Sequence, residues 1–162
     1  AASDVYRRQA YERAQDALSR LVPEAKAADV AIGIENVWNR FLLSPLETRR
    51  FLDEIGSDYV GMYLDVGNAV YIGYPEQWIE ILGHRIKKLH MSDYRFDQAG
   101  IGAFVDLFAG DVDFPAVAKA IAGIGYDDYI TLEMLPNYKQ FPEVSLYADK
   151  YAMNKIIEMI HL

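Results

Sequence analysis

Tyr59-Val-Gly-Met-Tyr-Leu-Asp65 is a short apolar run closed by a carboxylate, and how it is read decides the fold. A run of this length with no charge before its last residue reads as a buried strand. The same unit recurs on either side of it. Val30-Ala-Ile-Gly-Ile-Glu35 precedes it, and Arg85-Ile-Lys-Lys-Leu-His90 and Tyr129-Ile-Thr-Leu-Glu133 follow. Helical stretches separate these runs. Ser44-Pro45-Leu46-Glu47 supplies a capping hydroxyl, a proline at the first helical position and a glutamate three residues past the cap. That predicts a helix over Pro45–Ile55 ended by Gly56. Pro75 opens a helix carrying Trp78, Ile79 and Leu82 and ending near Gly83. A long loop over 91–112 leads to Asp113-Phe114-Pro115, which starts a helix running on to Ile124 and stopped by Gly125. A last helix is expected over about 142–160. Ahead of the first strand, Tyr6, Ala10, Ala14, Leu18 and Leu21 fall near helical spacing over 3–28, with Pro23 as a kink or stop. The order α-βα-βα-βα-βα implies parallel strands joined by right-handed crossovers. Two α/β architectures satisfy it: a small doubly wound sheet, or part of a (β/α)8 barrel, whose full length is ~250 residues.

Composition narrows the functions. The chain has 162 residues, 52% of them hydrophobic and 25% charged, enough apolar side chain to offset the entropy of ordering. By length it is one domain, 1–162. No apolar run approaches the ~20 residues of a membrane span, so no membrane partner is expected. The opening AASDVYRRQAYERAQ has no apolar signal region, and a cytoplasmic location is the expectation. With no cysteine, any metal must rest on histidine and carboxylates. A net charge of −8 argues against nucleic acid as a partner.

The informative pattern lies at the strand ends: Glu35, Asp65, His90 and Glu133. Parallel strands point the same way, so these four lie on one rim, and in barrels that C-terminal rim carries the active site. Two carboxylates ~4 Å apart repel by roughly 4 kcal/mol at an effective dielectric of 20. Three converging carboxylates must therefore be protonated, paired with cations or bound to a metal. Two Glu, one Asp and one His suit Mn, Co, Mg or Zn. The alternative is four separate strand ends that are solvated or cap the next helix. His84, after a helix C-terminus, and His161, next to the last residue, read as surface positions.

Five stretches occur in a telling order: Ile34-Glu-Asn-Val-Trp-Asn-Arg-Phe41, Tyr63-Leu-Asp-Val-Gly-Asn68, Lys88-Leu-His-Met-Ser-Asp93, Gly110-Asp-Val-Asp-Phe114 and Thr131-Leu-Glu-Met134. Together they resemble the sugar phosphate isomerase/epimerase family, with its xylose isomerase-like TIM barrel. The resemblance implies the four C-terminal βα units, strands five to eight, of such a (β/α)8 barrel. It implies one divalent metal ion on Glu35, Asp65, His90 and Glu133, and an acid/base pair of Glu35 and Glu133 moving a proton through an enediolate. It implies substrate contacts at Asn68, Arg95 and Trp38, a sugar or sugar-phosphate substrate, and a missing N-terminal half-barrel or a homo-oligomer partner to complete the pocket. The chain then reads as a fragment of a longer polypeptide. The sequence departs from the family pattern at three places. Asn68 stands where many members have histidine, Ser92 where many have lysine, and Leu42 and Leu43 where the epimerases carry a glutamate. An inosose-type dehydratase on the same scaffold and a non-catalytic carbohydrate-binding barrel remnant are the alternatives. Three histidines in all are too few for the three-metal endonucleases that share the fold.

Overall fold

A computed structural model describes residues 2–135 and 138–162, with side chains in the first helix from Arg8 onward. Helix α1 spans Ala2–Ala28 and continues through Pro23 without a break. Its packed face is Tyr11, Ala14, Leu18, Val22 and the buried Ala25. Ala14 and Leu18 lie on it as expected, but Ala10 and Leu21 face solvent, and the side chain of Tyr6 lies outside the described residues. Tyr11 sets the rotation. Its ring meets Phe51 edge-on at 4.9 Å, and its hydroxyl donates to Glu54 Oε2 at 2.9 Å.

Strand β1 is Ile32–Glu35, two residues shorter than the apolar run, with Val30 left exposed. Helix α2, Pro45–Ile55, begins and ends as its sequence dictates. Ser44 Oγ accepts from the Glu47 amide, Glu47 Oε2 accepts from the Leu43 amide, and Gly56 closes the helix at φ 64°. Strand β2 is Val60–Asp65. A helix absent from the sequence reading follows at once: α3, Val66–Ile72, capped by the Asp65 carboxylate on the Asn68 amide. Next come α4, Pro75–Leu82, and β3, Ile86–Met91. The expected loop over 91–112 contains a small antiparallel pair, β4 (Asp93–Tyr94) and β5 (Phe104–Val105), joined through a 3-10 turn at Gly100–Ala103. Helix α5 is Phe114–Gly123, strand β6 is Ile130–Leu132, and α6 is Glu143–Ile160.

The main sheet is fully parallel in the order β1-β2-β3-β6. A sequential order has no reversal point, which removes the doubly wound alternative. Side chains alternate across the strands. Met62, Leu64, Leu89 and Met91 are essentially buried and share one cluster with Phe51, Trp78, Ile79 and Ile121 from the helices. The opposite, concave face carries Gly33, Tyr63, Lys88 and Thr131, then Glu35, His90 and Glu133, none of them buried. Four strands with helices on one face make half of a (β/α)8 barrel, and the outer edges of β1 and β6 have no strand beside them among the described residues. Open edges and an uncovered concave face invite pairing with another chain. The isolated 162-residue chain is therefore expected to associate at micromolar concentration in light scattering. A monodisperse monomer would contradict this.

Candidate metal centre

Asp65 is the most constrained residue on the rim and is 1% exposed. The Asn36 side chain clamps its backbone: Nδ2 donates to the Asp65 carbonyl at 2.8 Å, and Oδ1 accepts from the Asp65 amide at 2.8 Å. The end of β1 is thereby locked to the end of β2. The Asp65 carboxylate caps α3 through the Asn68 amide and receives the Ser92 hydroxyl, whose Oγ is 3.0 Å from both carboxylate oxygens. Ser92 Oγ in turn accepts from the Gly67 amide at 3.1 Å. Glycine is required at 67, because a Cβ there would lie 2.4 Å from Ser92 Oγ.

Register does the rest. His90 pairs with Asp65 across β2 and β3. The Tyr63 ring packs on the imidazole with centroids 4.0 Å apart. Nδ1 of His90 lies 2.8 Å from Glu133 Oε2, 3.0 Å from Glu35 Oε1 and 4.0 Å from Asp65 Oδ2. Glu133 follows the last residue of β6, and its amide still bonds the Met91 carbonyl, which holds it in line with the rim. One donor atom from each of the four residues falls within 4.8 Å of the others. Two ligands on opposite sides of an ion with ~2.1–2.2 Å bonds stand about 4.3 Å apart, so the cluster is of ion-binding size. The single proton that Nδ1 can carry cannot serve two carboxylates. Burial pushes the Asp65 carboxyl up to about 7; the Asn68 amide and Ser92 hydroxyl pull the other way, and Glu133 adds to the rise. Three carboxylates with one imidazole form an oxygen/nitrogen donor set with surplus negative charge, which fits one divalent cation.

A cleft of about 270 Å³ opens beside Asp65 and Glu133, walled by Trp38, Asn68, Ile101, Phe104, Val105 and Leu135. Trp38 is only partly buried, with its indole against the rings of Phe104, Tyr71 and Tyr94. It is both core and cleft wall. Arg95 does not line the cleft, contrary to the expected substrate contact. Its backbone is drawn into the β4–β5 pair by a bond to Ala103, and its guanidinium is taken by Asp97 at 2.6 and 3.0 Å. His84 and His161 are exposed and outside the cluster. The sequence reading assigned no part to Asn36, Ser92 as a donor, or Tyr63. Asn36 stands next to a strand-ending Glu, but its partner is 29 residues away, and no local signal marks that bond.

The family described as xylose isomerase-like TIM barrel matches residues 1–152. Uncharacterized protein MJ1311 of Methanocaldococcus jannaschii is 30% identical over 125 residues, 72% of this chain and 41% of that protein. A crystal structure of IolI protein with a bound zinc atom is similar at a TM-score of 0.77 and 19% identity, over 93% of this chain and 57% of that one. A structure of L-ribulose 3-epimerase is similar at 0.71 and 22% identity, over 93% and 54%. The chain spans roughly half the length of these proteins, and at such identities the solved structures speak for the fold.

Asn36→Ala leaves the amide and carbonyl of a buried residue unpaired and is expected to lower stability by about 1–3 kcal/mol in urea unfolding. A change below ~0.5 kcal/mol would remove the clamp from the account. The metal-free protein carries a sign of its own. Asp65, Asp93 and Asp149 are all pushed up by burial, so the folded state holds their protons more tightly than the unfolded chain does. That contribution is fully present below ~4 and is lost as pH rises, for Asp65 through about 7. Without metal, the thermal midpoint is expected to fall between pH 5 and pH 8, less steeply in Asp65→Asn. A midpoint that climbs over this range would refute the assignment.

Proposed function

The chain belongs to the xylose isomerase-like TIM barrel family, and from that premise we propose that it carries the metal centre and acid–base pair of an isomerase or epimerase acting on a sugar or sugar phosphate. The observation that supports this reading is the convergence of Glu35, Asp65, His90 and Glu133 beside a cleft. These four residues hold one divalent ion, Mn, Co, Mg or Zn. When bound, the ion supplies Lewis-acid polarisation of a substrate carbonyl and stabilises the negative charge that develops on its oxygen.

The proton chemistry belongs to the two glutamates. Their carboxylates approach the same imidazole nitrogen from β1 and from the end of β6, the outermost strands of the sheet. A carbon seated between them is reached from two sides. One carboxylate takes the proton from the carbon beside the carbonyl. The C–H electron pair becomes the carbon–carbon double bond of an enediolate, and the carbonyl π pair moves onto oxygen. The other carboxyl then returns a proton, to the opposite face of the same carbon for epimerisation, as the oxygen's pair re-forms the carbonyl, or to the neighbouring carbon for isomerisation, as the first carbon's hydroxyl passes its proton to the former carbonyl oxygen and becomes the new carbonyl. Asn68 holds a substrate hydroxyl and moves no proton near neutral pH. Trp38 bounds the substrate laterally. The remaining wall comes from a preceding half-barrel or from a second copy of the chain, and the setting is cytoplasmic carbohydrate metabolism.

In the full-length protein loaded with Mn²⁺, Glu35→Gln and Glu133→Gln are each expected to abolish deuterium exchange from solvent into a panel of ketoses and their phosphates, and Glu133→Gln to lose the one equivalent of bound metal. Exchange persisting in either variant would remove that glutamate as a base. A protein that binds no metal under any loading would favour a non-catalytic barrel.

A further inference from the structure

We infer that the arm of the substrate lying on this chain's wall of the cleft ends in an uncharged, apolar group, a methyl or other deoxygenated carbon, and not in a hydroxymethyl or phosphorylated one. This rests on the isomerase/epimerase reading for the position of the reacting carbon and adds the class of substrate. Beyond the two carboxylates, the wall beside Asp65 and Glu133 consists of Trp38, Ile101, Phe104, Val105, Met134 and Leu135, with Asn68 as its one neutral polar side chain. The small β4–β5 pair and its 3-10 turn present three of these, Ile101, Phe104 and Val105. Ile101 is 72% exposed and Leu135 44%, so the cleft mouth shows water a pair of large apolar side chains that an apolar arm would cover.

Apart from the Asn68 carboxamide, which the proposed reaction gives to a substrate hydroxyl, the neutral polar groups on this wall are engaged. The Trp38 indole N–H points to the Asn68 backbone carbonyl at 3.5 Å, and the Asn68 backbone amide serves Asp65. A hydroxyl placed against Ile101 and Phe104 would give up its bonds to water and find no partner there. A phosphate fares worse. No lysine or arginine lines the cleft among the described residues. Arg95 is held by Asp97, and Lys88 is paired with Asp128 and lies over the Tyr129 ring. A dianion lying along this wall would meet no lysine or arginine, in a chain of net charge −8.

Three ketones without stereocentres test this, since they differ only at the end carbon: hydroxyacetone, dihydroxyacetone and dihydroxyacetone phosphate. Binding to the full-length, Mn²⁺-loaded protein is measured by calorimetry, and deuterium exchange at the shared hydroxymethyl carbon is measured in parallel. Hydroxyacetone is expected to bind about 10- to 100-fold tighter than dihydroxyacetone, the range for one group in an apolar pocket, with the phosphate weakest. Ile101→Asn, at an exposed position that leaves the core intact, is expected to shrink the first ratio to about threefold or less. Binding that is equal across the three, or tightest for the phosphate, overturns the inference whatever the exchange shows. Exchange absent from all three with hydroxyacetone still bound tightest leaves the inference standing and overturns the isomerase/epimerase reading.

Discussion

Glu35 and Glu133 both face Nδ1 of His90, which can carry one proton, and Asp65 stands 4.0 Å behind it with its carboxyl shut away from water. Bulk solvent cannot neutralise Asp65, and the imidazole can offset at most one negative charge. At these separations each unpaired carboxylate contact costs several kcal/mol at the effective dielectric of a protein site. A divalent cation within bonding distance of all four groups removes that cost in one step, and the rest of the rim is built to aim oxygen and nitrogen donors at one point. Asn36 pins the Asp65 backbone, Ser92 and the Asn68 amide fix its carboxylate, and Tyr63 sets the plane of the imidazole. In known metal sites, losing an outer partner of this kind costs about 10- to 100-fold in affinity.

The parallel sheet makes this economical. Every strand delivers its last residue to the same edge, so one ligand per strand is enough, and the alternation of side chains keeps the hydrophobic cluster on the helix side. Polar groups can then crowd the concave face without disturbing the packing of Met62, Leu64, Leu89 and Met91. Asp65 is the exception. It stands on the concave rim while its side chain is buried as the cap of α3, and that burial raises its proton affinity against the opposing pull of the capping Asn68 amide.

Much of this was legible in the sequence. Three of the strands were readable because each combines an apolar run with a polar terminus, the third in chain order by its place between helices, and α2 because Ser44, Pro45 and Gly56 act through local backbone geometry that needs no tertiary context. The four rim residues were readable for the same reason: a parallel sheet converts sequence position at a strand end into position in space. Part of what escaped depends on distant pairs. The packed face of α1 keeps the expected Ala14 and Leu18 but is turned toward Tyr11, Val22 and Ala25, because Tyr11 packs on Phe51, 40 positions on. Helix α3 escaped because Val66–Ile72 is β-branched and glycine-containing, poor in intrinsic helix preference, and held by a cap and burial instead. Arg95 was placed on the substrate by the family resemblance alone; Asp97, two positions on, takes its guanidinium instead.

The four rim residues also differ in what holds them. Asp65 and His90 sit on the central strands β2 and β3, paired on both sides; Asn36 and Ser92 clamp Asp65, and the Tyr63 ring packs on His90. Glu35 and Glu133 sit at the ends of β1 and β6, whose outer edges are open, and their side chains are 34% and 54% exposed. The pair on the central strands would therefore fix where an ion sits, while the separation of the two glutamates would depend on whatever closes the barrel against those edges. Proton transfer to two faces of one carbon is sensitive to that separation, since a misplacement of about 1 Å can cost roughly 100-fold in rate. In the proposed reaction, whatever closes the barrel against these edges would therefore set the reach of the two glutamates.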